Sequence, residues 1–208
     1  MPDSSNSASG SDPAGLRDAA RTLARGGVIV YPTETLYGLG ADGSNEVALE
    51  RLVALKGREA GKPIAVLIRD AEMLEDVVEE ISVAAADLMR RFWPGPLTIV
   101  LRARPTVSRR LTGGGDGIGV RVSSHPIAMA LVRALGRPLT APSANPAGLR
   151  PPTRLAEARA YFGDRVDCYV DGGALPGEPA STVVDARHEL RVIRDGAVPA
   201  HLVLRQAV

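Results

Sequence analysis

Short apolar runs alternate along this chain with segments of helical periodicity, and this alternation limits the fold more than any other feature. Val28-Ile29-Val30-Tyr31 and Leu97-Thr98-Ile99-Val100-Leu101 are typical of buried strands. The segments 13–25 and 45–55 instead repeat apolar residues three and four positions apart, as an amphipathic helix does. The pattern predicts an α/β fold, a twisted open sheet flanked by helices in a single domain. A hairpin-like pair of runs near the end of the chain indicates that the sheet is mixed.

The remaining elements follow from the same patterns. Further strands are predicted at 64–68, 118–122, 139–141, 168–170, 182–184 and 190–193. Further helices are predicted at 74–81, 84–92, 125–135 and 155–162. The glycine-containing stretches 33–40 and 113–117 are predicted to be loops. Residues 1–12 are rich in serine and form a predicted disordered tail, so the folded catalytic domain is expected to span 13–208.

Composition excludes several kinds of site. Aromatic residues make up only 3% of the chain, which argues against a nucleic-acid platform of stacked aromatic rings. The net charge is +1, so any anion site must be a local patch. The single Cys168 rules out an intrachain disulfide and a zinc site built from cysteines. We expect a cytoplasmic protein without membrane contact, since no apolar run approaches about 20 residues and the start lacks a signal peptide pattern.

The strongest chemical feature is the basic stretch Lys56-Gly57-Arg58-Glu59-Ala60-Gly61-Lys62-Pro63. It holds three cations within seven positions and lies between a predicted helix and a predicted strand. In open α/β sheets such connections commonly bind ligands, and here the ligand would be a phosphate. Taken alone, the stretch also fits a solvated turn that keeps its cations in water, as most isolated basic clusters do.

The other candidate residues also suit an anion. Arg121 and Arg194 lie at the ends of predicted strands, where a guanidinium group can grip a carboxylate or a phosphate. Hydroxyl and amide donors follow several strands: Thr33, Thr35, Ser143, Asn145, Ser181 and Thr182. The three histidines show no metal-ligand spacing, and the chain has neither a Walker A motif nor a hydrolase elbow. A nucleotidyl transfer needs no protein nucleophile, because positioning and charge neutralisation carry most of the catalysis.

Six motifs in order resemble one known family. They are Tyr31-Pro32-Thr33-Glu34-Thr35-Leu36-Tyr37-Gly38-Leu39, the basic stretch, Trp93-Pro94-Gly95-Pro96-Leu97-Thr98, Gly119-Val120-Arg121, Ser143-Ala144-Asn145 and Ser181-Thr182-Val183-Val184-Asp185. The chain resembles the YrdC/TsaC family, the threonylcarbamoyl-AMP synthases, from about Leu16 to Pro199. The resemblance implies a twisted α/β sheet with a positively charged cavity. It also implies that L-threonine, bicarbonate and ATP are joined to threonylcarbamoyl-AMP and pyrophosphate for the threonylcarbamoyladenosine modification of tRNA.

The resemblance assigns roles by motif position. Lys56 and Arg58 are the implied catalytic pair. The residues implied to bind ATP are Lys56, Arg58, Lys62, Ser143, Asn145 and Arg194. The residues implied to bind threonine are Thr33, Arg121 and Ser181. The protein supplies no metal ligand, and Mg²⁺ is expected on the ATP phosphates.

One feature departs from the family's motif, and another indicates which form of the family the chain belongs to. Glu59 follows the motif arginine where many relatives carry proline. The chain ends at Val208, which predicts the short form of the family, and that form is expected to pass its adenylate to separate tRNA threonylcarbamoyl-transfer proteins.

Other interpretations stay open for the chain and for single residues. The chain could be a relative that uses another carbamoyl or acyl adenylate, or a non-catalytic module with weak RNA or tRNA binding. Arg121 could form a structural ion pair with Asp116 or Asp42. Thr33 and Thr35 could bond only their own loop, Asn145 could be a turn former, and Arg194 a solvated strand end.

Overall fold

The computed structural model describes residues 15–57, 61–177 and 179–205, and within them the mixed α/β fold is confirmed. The predicted tail 1–12 lies outside these ranges. The helices are α1 (Leu16–Ala24), α2 (Glu46–Lys56), α3 (Ala71–Glu75), α4 (Val83–Phe92), α5 (Arg109–Thr112), α6 (Pro126–Leu135), α7 (Leu155–Phe162) and α8 (Ala200–Val203). The strands are β1 (Ile29–Pro32), β2 (Tyr37–Gly40), β3 (Val66–Leu67), β4 (Leu97–Arg102), β5 (Gly117–Arg121), β6 (Leu139–Thr140), β7 (Cys168–Tyr169), β8 (Thr182–Asp185) and β9 (Arg191–Arg194).

The described strands divide between two sheets. One has the order β2-β1-β7, and the other has the order β6-β3-β5-β4-β8-β9. Both mix parallel and antiparallel pairs, and the hairpin-like close of the chain is the antiparallel pair β8–β9. The sequence indicated one mixed sheet. The structure adds that β1 pairs with β2 and β7 instead of joining the larger sheet.

Two sequence-based predictions of local structure are wrong. The stretch 33–40 was expected to be a loop, but its second half is β2, since a tight turn returns the chain antiparallel to β1. The helix expected at 74–81 ends at Glu75. Beyond it the backbone bonds to the end of β4, where Glu79 N donates to Arg102 O and Arg104 N donates to Val77 O. Val78 N still donates to Leu74 O at 3.1 Å, but the contacts with the end of β4 take the backbone groups that would continue the helix.

Local chemistry fixes the ends of α2, which carries the first residue of the basic stretch. Asn45 caps its start, because the side chain accepts from Val47 N and Ala48 N, both at 3.1 Å. Gly57 ends it in the left-handed region at φ +54°, which a residue with a side chain adopts reluctantly. Lys56 is therefore held as the last residue of a capped helix. His125 likewise caps α6 by accepting from Ile127 N through Nδ1 at 3.3 Å.

The two sheets meet along β2 and the segment that follows β6. Leu39 N donates to Pro142 O at 2.8 Å, and Ala144 N donates to Tyr37 O at 2.8 Å. The buried Thr140 hydroxyl donates to Leu39 O and accepts from Ala41 N, which ties β6 to the same strand. This seam places the loops after β1 and β6, together with the segment that leads into β8, beside the face of β5. In the part of the chain that the structure describes, no helix combines the length and apolar character that crossing a bilayer demands.

Candidate active site

A cavity of about 430 Å³ opens at the seam between the two sheets. Seven of the nine residues that the sequence predicted to bind substrate line it: Thr33, Lys56, Lys62, Arg121, Ser143, Ser181 and Arg194. Thr35 lines it as well. Arg58 lies outside the described residues, and the structure places Asn145 beside the cavity loop without bringing it into the lining. The volume is in the range of small-molecule sites.

The charged side chains in the described part of the cavity wall all have the same sign. Lys56, Lys62, Arg121 and Arg194 contribute to the wall, and no aspartate or glutamate is among its described lining residues. Cations that share a concave site raise the local potential and attract anions. The net charge of +1 for the whole chain thus conceals a strongly cationic pocket.

Lys56 forms one end of this pocket. Its residue is only 5% exposed, and Nζ donates to Ser143 O at 2.6 Å. Its own carbonyl accepts from Ala147 N at 2.8 Å. Lys56 thus joins α2 to the loop 143–147 by one hydrogen bond that it donates and one that it accepts. The interpretation of Lys56 as the cation of a solvated turn is wrong, because the side chain is buried at the cavity wall.

Asn145 contributes through its loop. Its Nδ2 donates to Pro146 O at 2.9 Å and to Leu149 O at 2.6 Å, and its Oδ1 is buried without a hydrogen-bond partner among the described residues. These bonds shape the segment that brings Ala147 and Gly148 to the cavity wall. The structure thus supports the turn-forming role of Asn145.

Thr33 and Thr35 form a hydroxyl-rich turn at the cavity. Thr33 Oγ1 donates to Leu36 O at 2.7 Å and lies 3.4 Å from Thr35 Oγ1. Both residues are less than a tenth exposed. The bond within the loop confirms the local role considered for Thr33, and its position in the lining keeps the hydroxyl within reach of a ligand.

Arg121 forms the other end of the cavity. It is 6% exposed, and its Nη2 lies 3.6 Å from Glu34 Oε2, while its Nε has no hydrogen-bond partner among the described residues. The partners suggested by the sequence are wrong. Asp116 pairs with Arg187, and Asp42 pairs with Arg137, because these arginines reach the two carboxylates from the outer surface.

Arg194 lies close enough to Arg121 for the two charges to interact. Its Nε and Nη2 donate to Ser181 O at 3.0 and 2.8 Å, and Nη2 also donates to Ser181 Oγ at 3.1 Å. Burial, and next the charge of Arg121, hold the pKa of Arg194 below its ordinary value. Arg194 is an exposed residue at the end of β9, as the alternative interpretation held, and its side chain also lines the cavity. Two guanidinium groups that repel each other in a cavity are stabilised when an anion binds between them.

Sequence reasoning missed three contributors to this site. Gly117 and Gly119 line the cavity from within β5, where a Cβ on Gly119 would meet Thr98 Cγ2 at 3.2 Å and Ala65 Cβ at 3.3 Å. Glycine in a strand interior often marks such a close approach, so the alternation Gly117-Ile118-Gly119 was the available signal. Glu34 belongs to the first of the six motifs and was given no role of its own, yet it is the carboxylate that faces Arg121.

Two further observations concern cofactors and neighbouring space. Among the residues described, no group of three or more His, Cys, Asp or Glu side chains lies together in a way that could hold a metal ion. A second cavity of about 210 Å³ adjoins the first and shares Leu36, Pro151 and Ala180 with its wall.

Comparison with known proteins places this geometry in a family. The family model Sua5_yciO_yrdC, described as "Telomere recombination", matches residues 21–196. A threonylcarbamoyl-AMP synthase of Pyrococcus abyssi is 40% identical over 185 residues, which cover 88% of this chain and 54% of that protein. Another, from Halorhodospira halophila, is 41% identical over 178 residues, which cover 86% of this chain and 93% of that protein.

A solved structure agrees. Sua5 of P. abyssi, crystallised in complex with L-threonine, has a TM-score of 0.87 and 39% identity, covering 90% of this chain and 56% of that one. The chain therefore spans about half the length of the P. abyssi relative and nearly all of the H. halophila relative. Because the family model covers most of the chain and the fold agrees, the chain belongs to the Sua5/YciO/YrdC family.

Proposed function

We propose that this protein is a threonylcarbamoyl-AMP synthase, which joins L-threonine, bicarbonate and ATP to threonylcarbamoyl-AMP and pyrophosphate. The observation that carries the proposal is a cavity with four cations and no carboxylate among its described lining residues. A site of this charge suits a triphosphate and a carboxylate together. The H. halophila synthase, matched over 93% of its length, supports the specific reaction.

The Lys56 end of the cavity is the proposed ATP site. Lys56 and Lys62 neutralise phosphate charge, and the loop at Ser143 holds the nucleotide. Asn145 acts indirectly, since its side chain fixes that loop. Arg58 follows Lys56 by two positions and is assigned to the phosphates from its motif alone.

The Arg121 end is the proposed threonine site. The Arg121 guanidinium takes the carboxylate, while Thr33 and Ser181 present hydroxyl groups to the rest of the amino acid. Arg194, which donates to Ser181 O at 2.8 Å, is assigned a supporting role at the nucleotide. The complex of the P. abyssi Sua5 with L-threonine supports an amino acid ligand for this fold.

The proposed chemistry proceeds in two steps. The amine nitrogen of threonine bonds to the carbon of bicarbonate, and one amine proton leaves with the bicarbonate hydroxyl as water, which yields a carbamate. A carbamate oxygen then bonds to the α-phosphorus of ATP. The bond from that phosphorus to the bridging oxygen breaks, and pyrophosphate leaves with the electron pair. The cations hold the reactants in line and stabilise the charge that develops on the phosphates.

Mg²⁺ is proposed to enter with ATP as part of the substrate. The described cavity residues offer hydroxyl and carbonyl oxygens without a carboxylate, which is a poor donor set for a resident divalent cation. A magnesium ion that rests on phosphates and water fits this wall.

The product has a proposed destination. Threonylcarbamoyl-AMP is a mixed anhydride that separate tRNA threonylcarbamoyl-transfer proteins would consume, in the cytoplasm. Weak contact with tRNA would be electrostatic, because the chain has few aromatic side chains for stacking on bases.

The test is pyrophosphate release by the purified protein with Mg–ATP. Release should require both L-threonine and bicarbonate, because the α-phosphate is attacked by a carbamate made from both. Lys56→Met, which keeps the apolar stem and removes the charge, should lower the rate by about 100-fold or more. Equal release without threonine would contradict the proposal.

The controls separate chemistry from folding. Lys56→Met should keep the wild-type circular dichroism spectrum. A protein that releases no pyrophosphate but binds tRNA with a steep salt dependence would favour the RNA-binding alternative.

A further inference from the structure

A buried carboxylate lies directly behind Arg121. The Glu34 side chain is 14% exposed, and its Oε2 is 3.6 Å from Arg121 Nη2. Glu34 is absent from the described lining of the cavity, whereas Arg121 is part of it. Glu34 can therefore influence a ligand without touching it, by holding Arg121 and through its own negative charge.

A hydroxyl group fixes this carboxylate in place. Ser123 Oγ donates to Glu34 Oε2 and accepts from His125 N at 3.1 Å. A serine hydroxyl has one proton, and the backbone N–H of His125 already occupies an acceptor position, so that proton is directed at Glu34. His125 is itself held as the cap of α6. Glu34 Oε2 thus has a defined position, anchored to a helix start.

The carboxylate also sets the charge at this end of the cavity. Arg121 and Arg194 together carry two positive charges, and each lowers the cost of an anion between them. Glu34 supplies one negative charge behind the pair, which leaves a net charge of about +1. That value matches an amino acid carboxylate and falls short of a phosphate dianion.

Orientation gives a second distinction between these anions. A carboxylate is planar and binds best when two guanidinium N–H groups lie in its plane. Phosphate presents oxygens in all directions and tolerates a rotated guanidinium. A guanidinium that is held from behind and partly neutralised therefore favours carboxylate over phosphate.

We propose that Glu34 is a positioning and specificity-determining residue, which holds Arg121 and limits its charge so that this subsite selects a carboxylate over phosphate. The identity of that carboxylate as threonine rests on the proposed function. The selection matters because the same cavity is proposed to admit ATP and release pyrophosphate, so an unselective subsite would be blocked by phosphate groups.

The test uses Glu34→Gln in the full chain, with L-threonine and inorganic phosphate as separate calorimetric titrants. The amide keeps the shape and removes the charge. We expect the Kd for threonine to rise about 10-fold and the Kd for phosphate to fall about 10-fold. If Glu34 had a purely structural role, the variant would bind both ligands more weakly. Changes of the two Kd values in opposite directions therefore identify the proposed effect.

Two further variants complete the experiment. Ser123→Ala keeps the charge of Glu34 and removes the hydrogen bond that holds it. The Kd for threonine should therefore rise, while the Kd for phosphate should stay unchanged. Asp42→Asn removes a comparably buried, arginine-paired carboxylate outside the cavity, and should leave both affinities unchanged.

The outcomes are distinct. The proposal is overturned if Glu34→Gln weakens the binding of both ligands, or if it changes neither affinity. Tighter phosphate binding by Ser123→Ala would also overturn it. If Glu34→Gln fails to fold, Ser123→Ala still decides whether the hydrogen bond to Glu34 matters. Wild-type protein that binds no threonine would refute the proposed function, while the phosphate titrations would still test the control of charge by Glu34.

Discussion

Arg121 and Arg187 are both paired with carboxylates, but the two pairs differ in how many guanidinium donors they use. Arg187 donates through Nε to Asp185 at 2.9 Å and through Nη2 to Asp185 at 2.6 Å, and its Nη1 reaches Asp116. Arg121 has a carboxylate 3.6 Å away, and its Nε has no hydrogen-bond partner among the described residues. Arg187 lies at the end of β8 outside the cavity lining, whereas Arg121 lies in it.

The number of satisfied guanidinium donors distinguishes Arg187, which has a structural role, from Arg121, which is available to bind a ligand. Buried polar groups in folded proteins are almost always hydrogen-bonded, so an arginine with an unsatisfied donor beside a cavity indicates a missing partner. Arg187 stabilises the fold through bonds that are complete without a ligand. Arg121 is more deeply buried and less satisfied, which is costly unless an anion completes the site.

Among the variants that test this comparison, Arg121→Lys gives the largest expected effect. Lysine keeps the charge and loses the planar fork, so one charge-assisted hydrogen bond to the threonine carboxylate is lost. Such a bond contributes about 1.5–3 kcal/mol, which corresponds to a rise of roughly 10- to 100-fold in the KM for threonine. Steady-state pyrophosphate release with varied threonine measures it, and the KM for ATP should stay near its wild-type value.

Arg187→Lys is the matched control for that experiment. It makes the same chemical change in a saturated ion pair outside the cavity, so stability should fall while the KM for threonine stays constant. A comparable rise in KM in both variants would remove the distinction between the two arginines.

Asp185→Asn gives an intermediate effect, on stability alone. The hydrogen bond from Arg187 holds the pKa of Asp185 below its usual range. A lowered folded pKa means that the ionised form contributes stability above the unfolded pKa of about 3.9, and that this contribution is lost as pH falls through the folded pKa. The variant should be less stable by about 1–3 kcal/mol at pH 7 in urea unfolding.

The pH dependence gives a second measurement on the same variant. The stability difference from wild type should shrink below about pH 4, because Asp185 of the unfolded chain then takes up its proton before Asp185 of the folded protein does. A difference that stays constant from pH 7 to pH 3 would show that the ion pair does not stabilise this end of β8.

The sequence predicted the fold class and most elements because strong periodicity and caps act locally. α2 begins after its cap Asn45 and ends before Gly57, and the apolar runs at β1, β4 and β5 are strands. The failures lie where distant backbone groups compete with a local pattern. Val77 lies beyond the end of α3 because its carbonyl bonds to Arg104 N, and no local spacing reports that contact.

The site shows the same limit. Ordered motifs predicted seven of the cavity residues, since each motif places a polar side chain on a loop or strand end. The partner of Arg121 could not be predicted, because Glu34 is 87 positions away in sequence and the choice among Glu34, Asp42 and Asp116 depends on how the two sheets meet. Asn145 was expected in the lining, and its amide instead bonds to two carbonyls of its own loop.

Arg110→Ala gives the smallest expected effect and tests whether a short distance alone marks an important pair. Arg110 Nη1 lies 2.6 Å from Glu46 Oε2, a closer contact than that of Arg121, and it links α5 to the start of the helix that carries Lys56. Its side chain is 42% exposed and that of Glu46 is 56% exposed, so water competes for both charges. An exposed pair contributes about 0.2–1 kcal/mol, and this contribution should vanish in high salt.

Urea unfolding of Arg110→Ala at low and high salt measures this contribution. Pyrophosphate release should be unchanged, because capping by Asn45 and Gly57 holds α2 without this pair. A loss of activity in this variant would mean that the surface around α2 takes part in the site, and that burial and donor saturation do not separate binding arginines from structural ones.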